Sequence, residues 1–258
     1  MTTQWNPSVV SDELLALTNR LGEPDLDLVI LAEGNTSEVI GDDLIAVKAS
    51  GAYMSSATKD DFVSVTVSEV VDLLEDPAGT QEQLTHVLDA GVQNGVRRRG
   101  SIETLVHASV RAFTTARFVA HSHPTPVISL LASVRAEDAF AVAAYSDEVV
   151  VIGTPLFVPY APPGIALGRA FHERLRRHVE DHGSVPPLIL LGNHGIVATS
   201  ETAQGAEAIS LMSVKAARVR LGAYSVGGVA GLDPEHVAAY WTREDFSERR
   251  DALSGTAQ

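Results

Sequence analysis

A chain of 258 residues, 45% hydrophobic and 20% charged, is long enough to bury one large core without disulfide staples. It contains no cysteine, which excludes thiolate metal ligands and cysteine nucleophiles, so any metal here is held by nitrogen and oxygen. The net charge of −14 argues against a nucleic-acid partner, because phosphate backbones are repelled overall, but leaves room for a small anion held by local donors. The start, Met1-Thr2-Thr3-Gln4-Trp5-Asn6-Pro7, has neither the basic end nor the apolar run of a signal peptide. No later stretch is apolar for long enough to span a bilayer. The expectation is a cytoplasmic protein without a membrane partner. Composition shows no seam, so one domain is expected over 1–258.

In chain order, Ser11 caps a helix whose leucines Leu14, Leu15, Leu17 and Leu21 gather on one face before Gly22 ends it. Residues 26–32, apolar and rich in β-formers, read as a strand leading into the polar turn Glu33-Gly34-Asn35-Thr36-Ser37. Val39-Ile40 and 44–47 flank Gly41-Asp42-Asp43, a hairpin signal that makes this region antiparallel. Lys48 is followed by the small-residue loop Ala49-Ser50-Gly51. Residues 62–67 alternate as a strand, and Ser68 caps a helix over 69–74. Thr80 and Gln83 have capping-box spacing and open a helix through Val87, Leu88 and Val92.

Ser101 caps a helix over 102–112, with Glu103 in its first turn and His107 one turn later on the same face. Residues 117–123 form a strand that Pro124 must end, since it lacks an N–H, and 125–132 a helix. Residues 149–152 and 156–158, apolar and separated by Gly-Thr-Pro, read as short strands, and 168–180 as a helix. Strands at 188–191 and 196–198 enclose the turn Gly192-Asn193-His194-Gly195. Ser200 caps a long amphipathic helix to about residue 219, and another helix follows Asp233. Helices interspersed with hairpins imply an α/β chain whose sheet is largely antiparallel.

The chemistry gathers at the end of the strand 117–123. His121 and His123 alternate along it and so share a face, and a strand end fixes two imidazoles at little entropic cost, which is half a metal site. On spacing alone, one core and one surface histidine explain the pair as well. His194 has little packing reason to sit between Asn and Gly at a turn, and is either a third ligand or an exposed turn residue. Glu103 is a candidate ligand or base, although the helix dipole favours a glutamate there in any case. His107 reads as a satisfied core histidine, the alternative being a group that orients Glu103. His172, His178 and His182 lie in a charged helix and read as solvated. Gly227-Gly228 and Gly231 lack the strand and helix context of dinucleotide binding, and no serine has a nucleophile-elbow context.

With Glu33-Gly34-Asn35-Thr36-Ser37, Ala49-Ser50-Gly51, Ser101-Ile102-Glu103 with His107, His121-Ser122-His123-Pro124 and Asn193-His194-Gly195 in this order, the sequence resembles the class II aldolase and adducin superfamily. That group contains the fuculose-phosphate and rhamnulose-phosphate aldolases, and the Ser-Ile-Glu-Thr and Gly-Asn-Thr-Ser wording is most similar to the latter. The resemblance covers about 12–219 and leaves a C-terminal helical extension at 233–253. It implies a three-layer α/β/α fold with a mainly antiparallel central sheet, and a cyclic homotetramer with active sites at subunit interfaces. It implies His121, His123 and His194 as ligands of a divalent metal, zinc or alternatively manganese or cobalt, with Glu103 as both ligand and catalytic base.

The same resemblance implies Asn35, Ser50, Gly51 and Ser101 as the binding site for a substrate phosphate, which suits donors near a helix N-terminus. Ile102 departs from it, standing where the fuculose-type enzymes have a phosphate-binding serine. The family's tyrosine proton donor comes from a neighbouring subunit, and Tyr145 and Tyr160 are both candidates for it. The implied activity is metal-dependent aldol cleavage or formation of a carbon–carbon bond in a ketose or ketose phosphate through an enediolate. The alternatives are a decarboxylase or dehydratase of a sugar acid or sugar phosphate on the same site, and a non-catalytic adducin-like binding module.

Overall fold

A computed structural model describes residues 3–254. A short edge strand, β1 (Thr3–Gln4), precedes α1 (Asp12–Leu21), whose Ser11 cap accepts from the amide of Leu14. The hairpin of β2 (Asn35–Gly41) and β3 (Leu44–Lys48) leads to β4 (Phe62–Thr66), α2 (Val67–Glu75) and α3 (Gln81–Val87). Strands β5 (Asp89–Gln93) and β6 (Val96–Arg99) pair only with each other, and α4 (Thr104–Phe113) and β7 (Phe118–Ser122) follow. The second half runs α5 (Thr125–Leu131), α6 (Ser146–Ile152), β8 (Leu156–Val158), α7 (Ile165–His182), β9 (Leu188–Leu191), β10 (Gly195–Ser200), α8 (Ala203–Ser225), α9 (Pro234–Thr242) and α10 (Glu244–Ser254).

Eight strands form one sheet in the order β1-β4-β3-β2-β7-β10-β9-β8. Every neighbouring pair is antiparallel except β8 with β9. Because side chains alternate along a strand, the sheet has two apolar faces to cover. Ala46, Phe62, Phe118, Ala120, Leu190 and Ile196 pack on one side with Leu14 of α1, Val127 of α5 and Ile209 of α8. Val47, Val63, Val119, Ile189 and Val197 pack on the other with Val70 of α2, Leu105 of α4 and Phe171 of α7. The result is the expected three-layer α/β/α arrangement around a mainly antiparallel sheet.

Several local expectations change. Residues 26–32 are not a strand: Asp27 and Leu31 adopt left-handed φ of 56° and 52°, which breaks a ladder. The segment instead wraps the end of β7, where the Leu28 carbonyl accepts from the amide of His123 at 2.8 Å. Residues 149–152 belong to α6, a helix announced by Asp147 and Glu148 in its first turn; a short apolar run does not distinguish strand from buried helix. The helix opened by Thr80 and Gln83 stops at Val87. Asn94 and Gly95, with φ of 51° and 79°, then turn β5 into β6 as an Asn-Gly hairpin. Thr202, not Ser200, caps α8. Ser68 is itself bonded to Asp43 through its hydroxyl and its amide. His172 is buried, with Nδ1 3.2 Å from the Ser109 hydroxyl and its ring against Phe113, while His178 and His182 stack on the exposed side of α7.

One buried ion pair ties the segment between α5 and α6 to α8. All five N–H groups of Arg220 are used: two on the Glu148 carboxylate at 2.6 and 2.7 Å, the others on the carbonyls of Ala139, Ala216 and Val142. Removing one member of such a pair leaves an uncompensated charge in the core, at a cost of about 3–5 kcal/mol. Arg220→Met is expected to lower unfolding stability by that amount in urea titrations. An unchanged midpoint would show that the pair does not hold α8 to this segment.

Candidate metal centre

The register of the sheet assembles the site at one end of its central strands. His121 of β7 lies directly opposite Asn35, the first residue of β2, on one side and Val197 of β10 on the other. On that same end β7 exits into His123-Pro124, the turn from β9 to β10 carries His194, and α4 begins beside Glu103. Two glycines permit the approach. A Cβ on Gly34, which has φ of 68°, would fall 2.9 Å from the His121 carbonyl and 2.6 Å from Val29, and one on Gly195 would fall 2.3 Å from the Ser122 carbonyl. Neither position tolerates a side chain while the histidines stay where they are.

Glu103, His121, His123 and His194 converge so that one ligand atom from each lies within 4.8 Å of all the others. The Nε2 atoms of His121 and His123 are 2.9 Å apart, and Glu103 places Oε1 2.9 Å from His194 Nε2 and Oε2 3.3 Å from His121 Nε2. The three rings stand at 69–84° to one another. A tetrahedral shell with bonds of about 2.0–2.1 Å has donor atoms roughly 3.3 Å apart, close to these three separations. The Nδ1 of His121 lies 2.8 Å from the Ile196 carbonyl; a carbonyl only accepts, so Nδ1 carries the proton and the Nε2 lone pair faces the cluster. Nitrogen and oxygen lone pairs converging in this way fit a divalent cation.

The electrostatics carry the same signature. Burial opposes ionisation of Glu103, but the charges and hydrogen bonds of His121 and His194 outweigh it and hold the carboxyl well below the usual carboxylate range. Burial also opposes the charged form of His121, yet Glu103 raises that group above the ordinary imidazole value. His123 is pushed down to about 3 by its own burial and by the neighbouring His121.

The remaining sequence candidates fall around this centre. Asn35 Nδ2 donates to Ser101 Oγ at 3.0 Å and to Glu103 Oε2 at 2.8 Å. The Ser50 amide is bonded to the Arg99 carbonyl and the Ser101 amide to that of Lys48, so the Ser50-Gly51 turn lies against the start of α4. Space beside Gly51 is open, and Ile102 is 40% exposed. Tyr145 turns its hydroxyl onto the Met212 sulfur, and burial pushes it up to about 12. Tyr160 is exposed, and its amide nitrogen lies 3.0 Å from where a Cβ on Gly192 would be.

Two contributors have no assigned role in the sequence reading. Lys48 is 1% exposed, and its ammonium donates to the carbonyls of Ala49 and Ala52, holding the Ser50-Gly51 turn from beneath. Burial pulls it down to about 8, with Glu103 and Asp61 opposing. A lysine ending the otherwise apolar strand Leu44–Lys48 was the available signal. Glu33 accepts from the Ile30 amide and sets its other oxygen 3.6 Å from His123 Nδ1; its place beside Gly34-Asn35 was the clue.

The sheet order, the two helical layers and a histidine and carboxylate cluster at the strand ends define the class II aldolase fold. A family model, the class II aldolase and adducin N-terminal domain, matches residues 12–221, and the chain belongs to that family. Comparison with curated proteins finds no match. Among solved structures, the N-terminal class II aldolase domain of a conserved protein from Thermoplasma acidophilum is 21% identical, covering 81% of this chain and 92% of its own, with a TM-score of 0.62. YgbL from Klebsiella pneumoniae, whose description leaves aldolase, epimerase and decarboxylase open, is 16% identical over 91% of this chain and 98% of its own, at 0.64. L-fuculose-1-phosphate aldolase from Thermus thermophilus is 20% identical over 85% and 99%, at 0.57. At these identities the likeness concerns the fold.

Purified protein is expected to carry about one divalent ion per chain, removable by a chelator with a fall in melting temperature. His121→Ala should abolish binding and His178→Ala should leave it intact, as elemental analysis would show. Equal effects of the two substitutions would mean that the ligand histidines are wrongly chosen.

Proposed function

We propose that the chain is a metal-dependent class II aldolase that makes or breaks a carbon–carbon bond in a ketose or ketose phosphate. The observation that carries this reading is the convergence of Glu103 with three imidazoles, a carboxylate placed to serve both a cation and a proton. His121, His123 and His194 would hold the metal with Glu103 as the fourth group, and zinc, manganese and cobalt all suit such a nitrogen and oxygen shell. When bound, the cation supplies Lewis-acid stabilisation of negative charge on the substrate oxygens.

Glu103 does the proton work. Its carboxylate is ionised, partly buried and held at both oxygens, so in condensation it removes the proton from the substrate carbon, and in cleavage its protonated form delivers one to the carbon left electron-rich when the bond breaks. The anionic end of the substrate lies on the Ser50-Gly51 turn and Ser101, with Asn35 beside them and Lys48 contributing charge from beneath. Tyr160 or Tyr145, reaching in from a neighbouring subunit, would take the proton from the hydroxyl that becomes the aldehyde oxygen in cleavage and give it back in condensation. Of these, Tyr160 is exposed and Tyr145 is committed to Met212 within its own chain.

Ile102 favours a second reading on the same site, because an apolar side chain removes one phosphate donor. A sugar acid undergoing decarboxylation or dehydration needs the same electron sink and the same base. A binding module related to adducin has no use for an intact ligand set, and the four convergent groups weigh against it. A screen of ketose phosphates, free ketoses and 3-oxo acids with zinc-, manganese- and cobalt-loaded protein separates the three. Aldehyde release from a ketose is the expected result, carbon dioxide release selects the second reading, and binding without turnover selects the third.

Glu103→Gln tests the base. Glutamine keeps hydrogen bonding but cannot take up a proton, so turnover should fall about a hundredfold or more while most of the metal stays on the three imidazoles. Exchange of the substrate's α-hydrogen with solvent should vanish in parallel. Full activity in the variant would place the base elsewhere, and loss of metal would make Glu103 chiefly a ligand.

We further read the chain as one catalytic domain in a closed homotetramer, acting in the cytoplasm. The exposed Ile30, Leu31, Tyr53 and Ile102 support the association, since they belong to the segments that frame the site and leave apolar surface for a neighbouring subunit. Light scattering should report four chains. An active monomer would remove the shared-site part of the reading and leave the metal centre standing.

A further inference from the structure

Behind Glu103 lies a line of polar groups that metal binding alone does not require. His107 of α4 is fully buried, with Nδ1 2.7 Å from the Ser37 hydroxyl and Nε2 2.5 Å from Asn35 Oδ1. Asn35 and Ser37 are alternate residues of β2 and are themselves buried. Asn35 places Nδ2 on both Glu103 Oε2 and Ser101 Oγ. Its amide is therefore used at the oxygen and at both N–H groups.

The direction of every hydrogen in this line follows from its end. An ionised carboxylate only accepts, so Asn35 must turn Nδ2, not Oδ1, toward Glu103; the flipped amide would set two oxygens 2.8 Å apart. Oδ1 then faces His107 and needs a donor, which makes Nε2 the protonated nitrogen. Burial pushes His107 down to about 3, with the His121 charge adding to it, so the ring is neutral and Nδ1 accepts from Ser37. The chain of donors runs from Ser37 through His107 and Asn35 to Glu103 Oε2.

We propose that His107 is a positioning residue for the proton-transfer step, which locks the Asn35 amide so that Nδ2 holds Oε2 of Glu103 and leaves Oε1 to the metal and the travelling proton. The proposal rests on the reading of Glu103 as the base. A histidine needed only to fill the core would have no reason to set the orientation of an amide bonded to that carboxylate. Without His107, Asn35 Oδ1 is buried without a donor and the amide is free to rotate, so the carboxylate loses its fixed oxygen. The three imidazoles that would hold the metal make no hydrogen bond to His107, so their contacts do not pass through it.

The test combines a variant pair with a measurement that does not depend on turnover. His107→Leu fills similar space without a donor, whereas His107→Gln puts an amide N–H near the position of Nε2. The leucine variant should lose about 10–100-fold in kcat, the usual effect of removing a group that supports a ligand, while most of the metal stays on the three imidazoles. Glutamine should restore most of the loss. Nitrogen-15 NMR of zinc-loaded, histidine-labelled wild-type protein should show His107 neutral and protonated on Nε2.

Equal turnover in the two variants, or a proton on Nδ1 of His107, overturns the proposal. If leucine prevents folding, the glutamine variant and the NMR result still decide it. If no ketose or oxo acid is turned over at all, the aldolase reading fails, while the NMR result still reports on the hydrogen-bond line.

Discussion

Lone pairs from three imidazoles and a carboxylate point at one small volume, and they repel one another unless positive charge sits among them. Glu103 holds His121 above its ordinary value, while burial and the neighbouring His121 hold His123 far below. A divalent ion satisfies all four at once. The remaining architecture brings these groups to one point and keeps them there. His121 rides on a central strand hydrogen-bonded on both sides, His123 follows directly at its exit with its amide on the Leu28 carbonyl, His194 sits on the turn between β9 and β10, and Glu103 opens a buried helix. None of the four depends on a long flexible loop, so little entropy is lost when a cation arrives.

Holding the centre constrains residues that never touch it. Gly34 and Gly195 are required because their neighbours are the carbonyls of His121 and Ser122. The Ser50-Gly51 turn is fixed from beneath by a buried ammonium whose burial costs it part of its basicity. An ammonium there would suit an anionic substrate on a chain whose net charge is −14, because the local field, not the overall balance, decides what binds. Arg220, at the far end of α8, does comparable work in the core, tying the irregular segment before α6 to a helix that covers one face of the sheet.

Legibility in the sequence followed the physical strength of each signal. Strong alternation at 62–67 and 117–123, the Gly-Asp hairpin turn at 41–43 and the Thr80/Gln83 capping box all correspond to observed elements. Residues 26–32 and 149–152 were ambiguous because a short apolar run suits a strand, a helix or a buried loop, and only tertiary contacts decide. The Asn94-Gly95 hairpin was readable but lay in the shadow of a preceding helix signal. His121, His123, His194 and Glu103 were visible through spacing and the order of motifs. The contacts of Lys48, Glu33 and His107 depend on how the chain packs, those of His107 on α4 lying over Asn35 and Ser37 of β2.

The central claim is that His121, His123, His194 and Glu103 form the inner shell of one divalent ion. X-ray absorption at the zinc edge of the zinc-loaded protein tests it most directly. The account predicts three imidazole nitrogens and a carboxylate oxygen at about 2.0–2.1 Å, with one imidazole lost in His194→Ala and the oxygen signal altered in Glu103→Gln. A shell dominated by water, or one unchanged by both substitutions, would contradict it.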